Sequence, residues 1–201
     1  YYRRDDPQKS PLPHLEGAFE TLQRLRVPVE FLADADLNLE NLRKFKVIIL
    51  PNTAILSTAQ TQAVSQYVQE GGSILATYET SLYDDVGARK ANFGLANVLG
   101  VNYFQSRGGE WAQESSAGVG AYLAPKGTFL AGLQSLLAPN QNVSLHMSGP
   151  AILTQSTAGV NRATLALIPQ GAAPIHQRAQ QTDYPAVHVN TYGTGKAAYI
   201  S

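Results

Sequence analysis

The run Lys46-Val47-Ile48-Ile49-Leu50-Pro51 constrains this chain more than any other stretch. Consecutive aliphatic residues leave nothing polar for either face of a strand, so a strand here calls for cover on both sides, as in a parallel sheet layered by helices. The next residues meet that demand. Ser57 and Gln60 have the spacing of a capping box, and Val64, Tyr67 and Val68 share one face of the helix it opens. Gly71-Gly72 ends that helix, since glycine takes the left-handed C-terminal position at least cost. Ser73 to Thr77 then reads as a second strand.

The same alternation extends in both directions. Leu15, Ala18, Phe19, Leu22 and Leu25 predict a helix over 15–26 between Pro13 and Pro28. A short strand over 27–32, a turn at Ala33-Asp34-Ala35-Asp36 and a helical segment over 38–45 come after it. Beyond the second strand, a loop over 78–90 leads to a helix around 92–99 closed by Gly100. This rhythm predicts right-handed crossovers onto a doubly wound, mainly parallel sheet with helices on both faces. Such a domain opens with a strand, whereas this chain passes from a polar segment straight into a helix; the first strand is expected to precede Tyr1. After residue 104 the pattern changes. Residues 105–120, around Trp111, read as a long surface loop, and Leu130, Leu133, Leu136 and Leu137 predict a helix over 128–137. Apparent strands over 143–147, 151–154, 163–169, 186–190 and 196–200 suggest antiparallel pairing at one edge. Residues 1–201 are read as a single domain.

Composition removes several classes of function. Lys plus Arg and Asp plus Glu each number 15, and charged residues are 15% of the chain against a usual value of about 25%. No basic face for nucleic acid is available. The chain contains no cysteine, which excludes disulfides, thiolate nucleophiles, iron–sulfur clusters and cysteine zinc sites. No apolar run approaches the roughly 18 residues of a membrane helix, so no membrane partner is expected. The low charge fits either a surface rich in uncharged polar residues or a surface covered by other domains or subunits. No compartment can be read from the residues.

No motif states a reaction. A nucleophile elbow would fall after the 73–77 strand, where Tyr78-Glu79-Thr80-Ser81 stands without a Gly-x-Ser-x-Gly frame. Glu79 lies where open α/β sheets bind ligands, at a strand's C-terminal end, although capping a turn or pairing with Arg89 would also account for it. Asp84 and Asp85 read as acidic loop residues rather than hard metal ligands. His14, His146, His176 and His188 lack metal spacing, so no metal or cofactor is expected. Gly193-Thr194-Gly195-Lys196 lacks the rest of a phosphate loop and reads as a hairpin turn. Asn142-Val143-Ser144 fits a glycosylation sequon that chance suffices to explain.

Five stretches taken in order, 17–29 (GAFETLQRLRVPV), 45–57 (FKVIILPNTAILS), 67–72 (YVQEGG), 80–101 (TSLYDDVGARKANFGLANVLGV) and the end from Tyr184 (YPAVHVNTYGTGKAAYIS), resemble the glutamine-amidotransferase-like domain of β-galactosidase-type glycoside hydrolases. In family 42 this is the middle, trimerisation domain. The resemblance implies a flavodoxin-like sheet, an upstream TIM barrel carrying the catalytic carboxylates, assembly as a homo-oligomer, by analogy a trimer, and no catalytic residue in this chain. It also implies a degenerate amidotransferase, because the cysteine nucleophile is missing and His188 is followed two residues later by Asn190 rather than a carboxylate. It favours the covered-surface reading of the low charge. A groove near Asn52, Tyr78, Glu79, Asp84 and Arg89 is the candidate ligand site, for a sugar or an anion. Two alternatives compete with an assembly domain: a carbohydrate- or small-ligand-binding module using that groove, and a free-standing hydrolase with Glu79 and Asp84 or Asp85 as its acid/base pair.

Overall fold

A computed structural model describes residues 12–107, 121–128, 145–147, 151–167 and 180–201. The helix expected over 128–137, Trp111, His176 and the sequon lie outside the described residues.

Helix α1 (Leu12–Arg24) is followed by an unpaired extended segment, a 3-10 turn (Asp34–Asp36) and the single turn α2 (Leu39–Leu42), which Asn38 caps by accepting from Asn41 N–H. Strand β1 (Val47–Leu50) leads through α3 (Thr58–Gln69) to β2 (Ser73–Thr77). The capping box forms as its spacing predicts: Ser57 Oγ accepts from Gln60 N–H at 3.2 Å and Gln60 Oε1 accepts from Ser57 N–H at 2.9 Å. Val64, Tyr67 and Val68 are the buried residues of α3. The short α4 (Ala96–Leu99) stops at Gly100, whose φ of 72° is left-handed. Strands β3 (Val101–Arg107), β4 (Ala121–Pro125), β5 (Leu145–Met147), β6 (Ala151–Ser156), β7 (Val160–Leu167), β8 (Gln180–Tyr192) and β9 (Gly195–Ile200) complete the chain.

The main sheet has the order β1-β2-β9-β8-β7-β4-β5, and β3 pairs with β6 in a separate antiparallel ribbon. Only β1 with β2 and β2 with β9 run parallel; every other pairing in the main sheet is antiparallel. This overturns the doubly wound, mainly parallel, flavodoxin-like expectation. Apolar alternation reveals that a strand exists but not which neighbour it pairs with. Here the tight turn between Tyr192 and Gly195 reverses the chain, so β8 must oppose β9, and its 13 residues carry the antiparallel mode on to β7. Among the described residues the helices do not form a layer on each face either. Helices α2 and α4 are four residues each, and α1 has no buried residue. Residues 27–32 form no strand, and β1 is the edge of the described sheet, with Val47 55% exposed, rather than a central strand.

Two apolar clusters form the interior. One gathers α3, α4, β1, β2 and β9 around Leu50, Val68, Ile74, Leu99 and Tyr199; the other gathers Leu153, Leu165, Leu167 and Val187 from β6, β7 and β8. Strand β6 serves both, because alternate residues point to opposite faces: Ile152 enters the first cluster, and Ala151 and Leu153 enter the second. The β8–β9 turn is pinned to the end of α3, where Thr194 N–H and Oγ1 both donate to Gln69 O at 3.1 Å. Gly193 (φ 61°) and Gly195 sit so close to the backbone of Gln69, Val68 and Gly72 that a Cβ at either would clash.

The Ser57→Ala chain should lose about 1 kcal/mol of unfolding free energy, the usual worth of an N-cap. Denaturant unfolding measures it, and an unchanged midpoint would show that α3 is held by packing alone.

Candidate functional site

The chain leaves β1 and β2 at the same end of the sheet, and both exits are strained. Asn52 (φ 50°), Tyr78 (φ 52°) and Ser81 (φ 67°) adopt left-handed backbone that bulky residues avoid. Short hydrogen bonds hold them there. Asn52 N–H donates to Thr77 Oγ1 at 2.9 Å, and Tyr78 N–H donates to Ile200 O at 2.8 Å. The buried Tyr199 hydroxyl donates to Tyr78 O at 2.7 Å. Thr80 Oγ1 donates to Leu50 O at 3.0 Å, and Ser81 Oγ accepts from Leu95 N–H at 3.1 Å. Both hydroxyls of the elbow are therefore engaged in holding the turn.

Asn52, Tyr78 and Glu79 meet at these strand ends. Glu79 is buried; its Oε1 accepts from the Tyr83 hydroxyl at 3.3 Å, and its Oε2 is buried with no hydrogen-bond partner among the described residues. Burial raises this carboxyl from its ordinary 4.5 to about 7, against smaller opposing effects of the Tyr83 hydroxyl and the Arg89 charge. Burial also pushes the Tyr78 and Tyr83 phenols up to about 12 and Tyr199 well above its ordinary value. Arg89 forms no ion pair with Glu79. Its Nη1 donates to the Tyr103 hydroxyl at 3.1 Å, with Cζ 5.3 Å from that ring's centroid. Asp84 holds its own turn, accepting from Val86 N–H at 3.1 Å and Ala88 N–H at 2.7 Å. Asp85 is exposed.

Sequence reading missed the aromatic lining. Tyr83 bonds Glu79, Tyr103 meets Arg89 and Tyr199 bonds Tyr78 O, Phe93 packs against Tyr103 and Tyr199, and His14 of α1 stacks on Tyr78 with ring centroids 5.9 Å apart. The inward alternation of β9, which places Tyr199 with Ala197, is the one signal that could have found part of it. His188 and Asn190 are structural. The buried His188 ring bridges Asn161 Oδ1 and Ala158 O, and Asn190 Nδ2 donates to Val98 O at 3.0 Å at the end of α4. Among the described residues no group of three His, Asp or Glu is placed to hold a metal ion, and no helix is long and apolar enough to cross a membrane. An open groove of about 590 Å³ lies beside α3, lined by Thr61, Ser65, Gln66, Gln69 and Gly94. It includes none of the strand-end residues.

Residues 4–104 match the family profile of the β-galactosidase trimerisation domain. The fold is similar to part of a β-galactosidase from Bacillus circulans sp. alkalophilus, with a TM-score of 0.71 and 14% identity over 99% of this chain and 26% of that one. It is also similar to part of a cold-adapted β-galactosidase from Rahnella sp. R3, with a TM-score of 0.68 and 17% identity over 93% of this chain and 24% of that one. A ThuA-like protein from Bacteroides uniformis gives a TM-score of 0.63 at 14% identity, covering 100% of this chain and 78% of the other. The chain thus spans about a quarter of the length of the β-galactosidases it matches.

Because the folded pKa of Glu79 lies above its unfolded value, its contribution to stability is complete below about pH 4.5 and is lost as pH rises through about 7. Glu79→Gln should remove this dependence, so its melting temperature gains on the wild type steadily from about pH 5 to pH 8. Thermal unfolding across that range gives the answer; curves that stay parallel would show that Glu79 is ionised and satisfied in the fold.

Proposed function

Because the chain belongs to the β-galactosidase trimerisation domain family, we propose that it is a noncatalytic assembly domain of a larger glycoside hydrolase of the β-galactosidase type, whose catalytic carboxylates lie on another domain, an upstream barrel. The observation that supports this reading beyond the family match is an exposed apolar surface along α1 and the segment after it. Over 13 residues α1 buries no side chain, and Leu12, Leu15, Leu25, Val27, Val29 and Phe31 are all exposed. The Phe19 and Phe31 rings lie 5.3 Å apart, which joins the helix to the extended segment after it. Adjoining apolar residues of this kind mark a surface that meets other protein. In the assembled enzyme it meets the rest of the polypeptide or a neighbouring subunit, and homo-oligomerisation follows. The domain has no glutaminase activity: the chain has no cysteine, and Tyr78 occupies the left-handed turn after β2.

A second reading, a module binding a carbohydrate or small ligand at Asn52, Tyr78, Glu79, Asp84 and Arg89, is favoured by one observation, the buried Glu79 Oε2 without a partner. Titrating galactosides into the labelled chain and following the amides of those residues tests it; an absence of shifts at millimolar sugar would sink it.

Hydrogen exchange separates a covered surface from a bare one. Amides of Val29, Glu30 and Phe31, which join no strand among the described residues, should exchange at nearly intrinsic rates in the isolated chain and at least about tenfold more slowly in the full-length protein. Equal rates in both would remove this face from the assembly.

A further inference from the structure

The strand-end cluster contains an exposed cation and a buried acid that are close neighbours without being partners. Arg89 is exposed and rests on Tyr103, while Glu79 keeps one carboxyl oxygen buried and unbonded. This arrangement is stable only while Glu79 is neutral, since a buried carboxylate without a cation is among the costliest defects a fold can hold. The groups that face Glu79 offer one way to relieve it. Tyr83 already donates to Oε1, and the Tyr199 hydroxyl of β9 is committed to Tyr78 O. The Tyr78 ring is stacked against His14 of α1, and Lys90 Nζ donates to Leu56 O at 3.1 Å. The Asp84 carboxylate, nearby in the same loop, is taken up by its own turn. Arg89 is the cation whose charge reaches Glu79.

We propose that the protonation state of Glu79 moves Arg89 between two partners: the guanidinium rests on Tyr103 while the Glu79 carboxyl is neutral, and swings to the carboxylate when the proton leaves to solvent. The move reaches β3. The Tyr103 hydroxyl also accepts from Ser106 N–H at 3.0 Å and lies 3.1 Å from Ser106 Oγ, across the point where the β3–β6 register shifts between Tyr103 and Gln105. Losing Arg89 leaves the Tyr103 hydroxyl with its Ser106 contacts, beside the bond from Tyr103 N–H to Asn92 Oδ1 at 2.8 Å. The loop over 84–90 and the β3–β6 ribbon are thus coupled through Arg89 below about pH 7 and lose that link above it, without any ligand.

The test is side-chain NMR of the arginine-labelled chain, with the Arg89 Nε–H signal assigned by its loss in Arg89→Lys. In the wild type this signal should titrate between about pH 5.5 and 8.5 with a midpoint near 7. In Glu79→Gln it should be flat. In Tyr103→Phe, which lacks the competing hydroxyl, the midpoint should fall. A flat signal in the wild type, or a titration that persists in Glu79→Gln, overturns the proposal. Should Glu79→Gln fail to fold, Arg89→Ala alters only an exposed residue, and the Glu79 carboxyl can be followed directly. Its midpoint should rise by about half a unit or more once the cation is gone, and an unmoved midpoint overturns the proposal equally.

Discussion

Strand β9 is the member on which the rest of the structure depends. One of its edges pairs in parallel with β2, from Ser73↔Lys196 to Thr77↔Ile200, and the other pairs antiparallel with β8. It therefore joins a small helix-backed parallel unit to a larger antiparallel one. Tyr199, buried and central to the first apolar cluster, hangs from this strand and bonds the strained Tyr78 carbonyl. The position of β9 is fixed at its start by the turn at Gly193-Thr194, pinned onto Gln69, and near its end by the bond from Tyr78 N–H to Ile200 O. A residue with a Cβ at Gly195 would push this strand off α3, and both sheet halves would feel it.

Local structure was legible where the signal is local. The Ser57–Gln60 box, the stop at Gly71-Gly72, the closure at Gly100 and the hairpin at Gly193-Thr194 all depend on a few adjacent residues, and all stand where the sequence puts them. Pairing was not legible, because it depends on partners distant in the chain. Val47-Ile48-Ile49-Leu50 reads as a strand covered on both sides, yet in the described sheet it is an edge, and Val27 to Leu32 reads as a strand yet pairs with no strand among the described residues. The second mismatch adjoins the apolar surface of α1, where the Phe19 and Phe31 rings lie 5.3 Å apart. Apolar residues left exposed among the described residues fit the assembly role proposed above.

The candidate site shows the same division. Glu79 at the end of β2 was identifiable from position alone, because strand ends in α/β sheets gather functional groups. Its environment was not. The aromatic residues around it come from distant parts of the chain: Tyr83 of a loop bonds Glu79, Tyr103 of β3 meets Arg89 and Tyr199 of β9 bonds Tyr78 O, and only the folded arrangement brings them together. Sequence proximity misled for Asp84, whose carboxylate closes a local turn. The low charge of the chain now has a physical counterpart: leucine, valine and phenylalanine are exposed along α1 and the segment after it, between the charged Glu20, Arg24 and Glu30.

Assembly through that surface can be measured. Sedimentation equilibrium gives the mass in solution of the full-length protein with and without the region corresponding to this chain. A homo-oligomer is expected with the region and a monomer without it. The same oligomer in both would contradict a role for this domain in assembly.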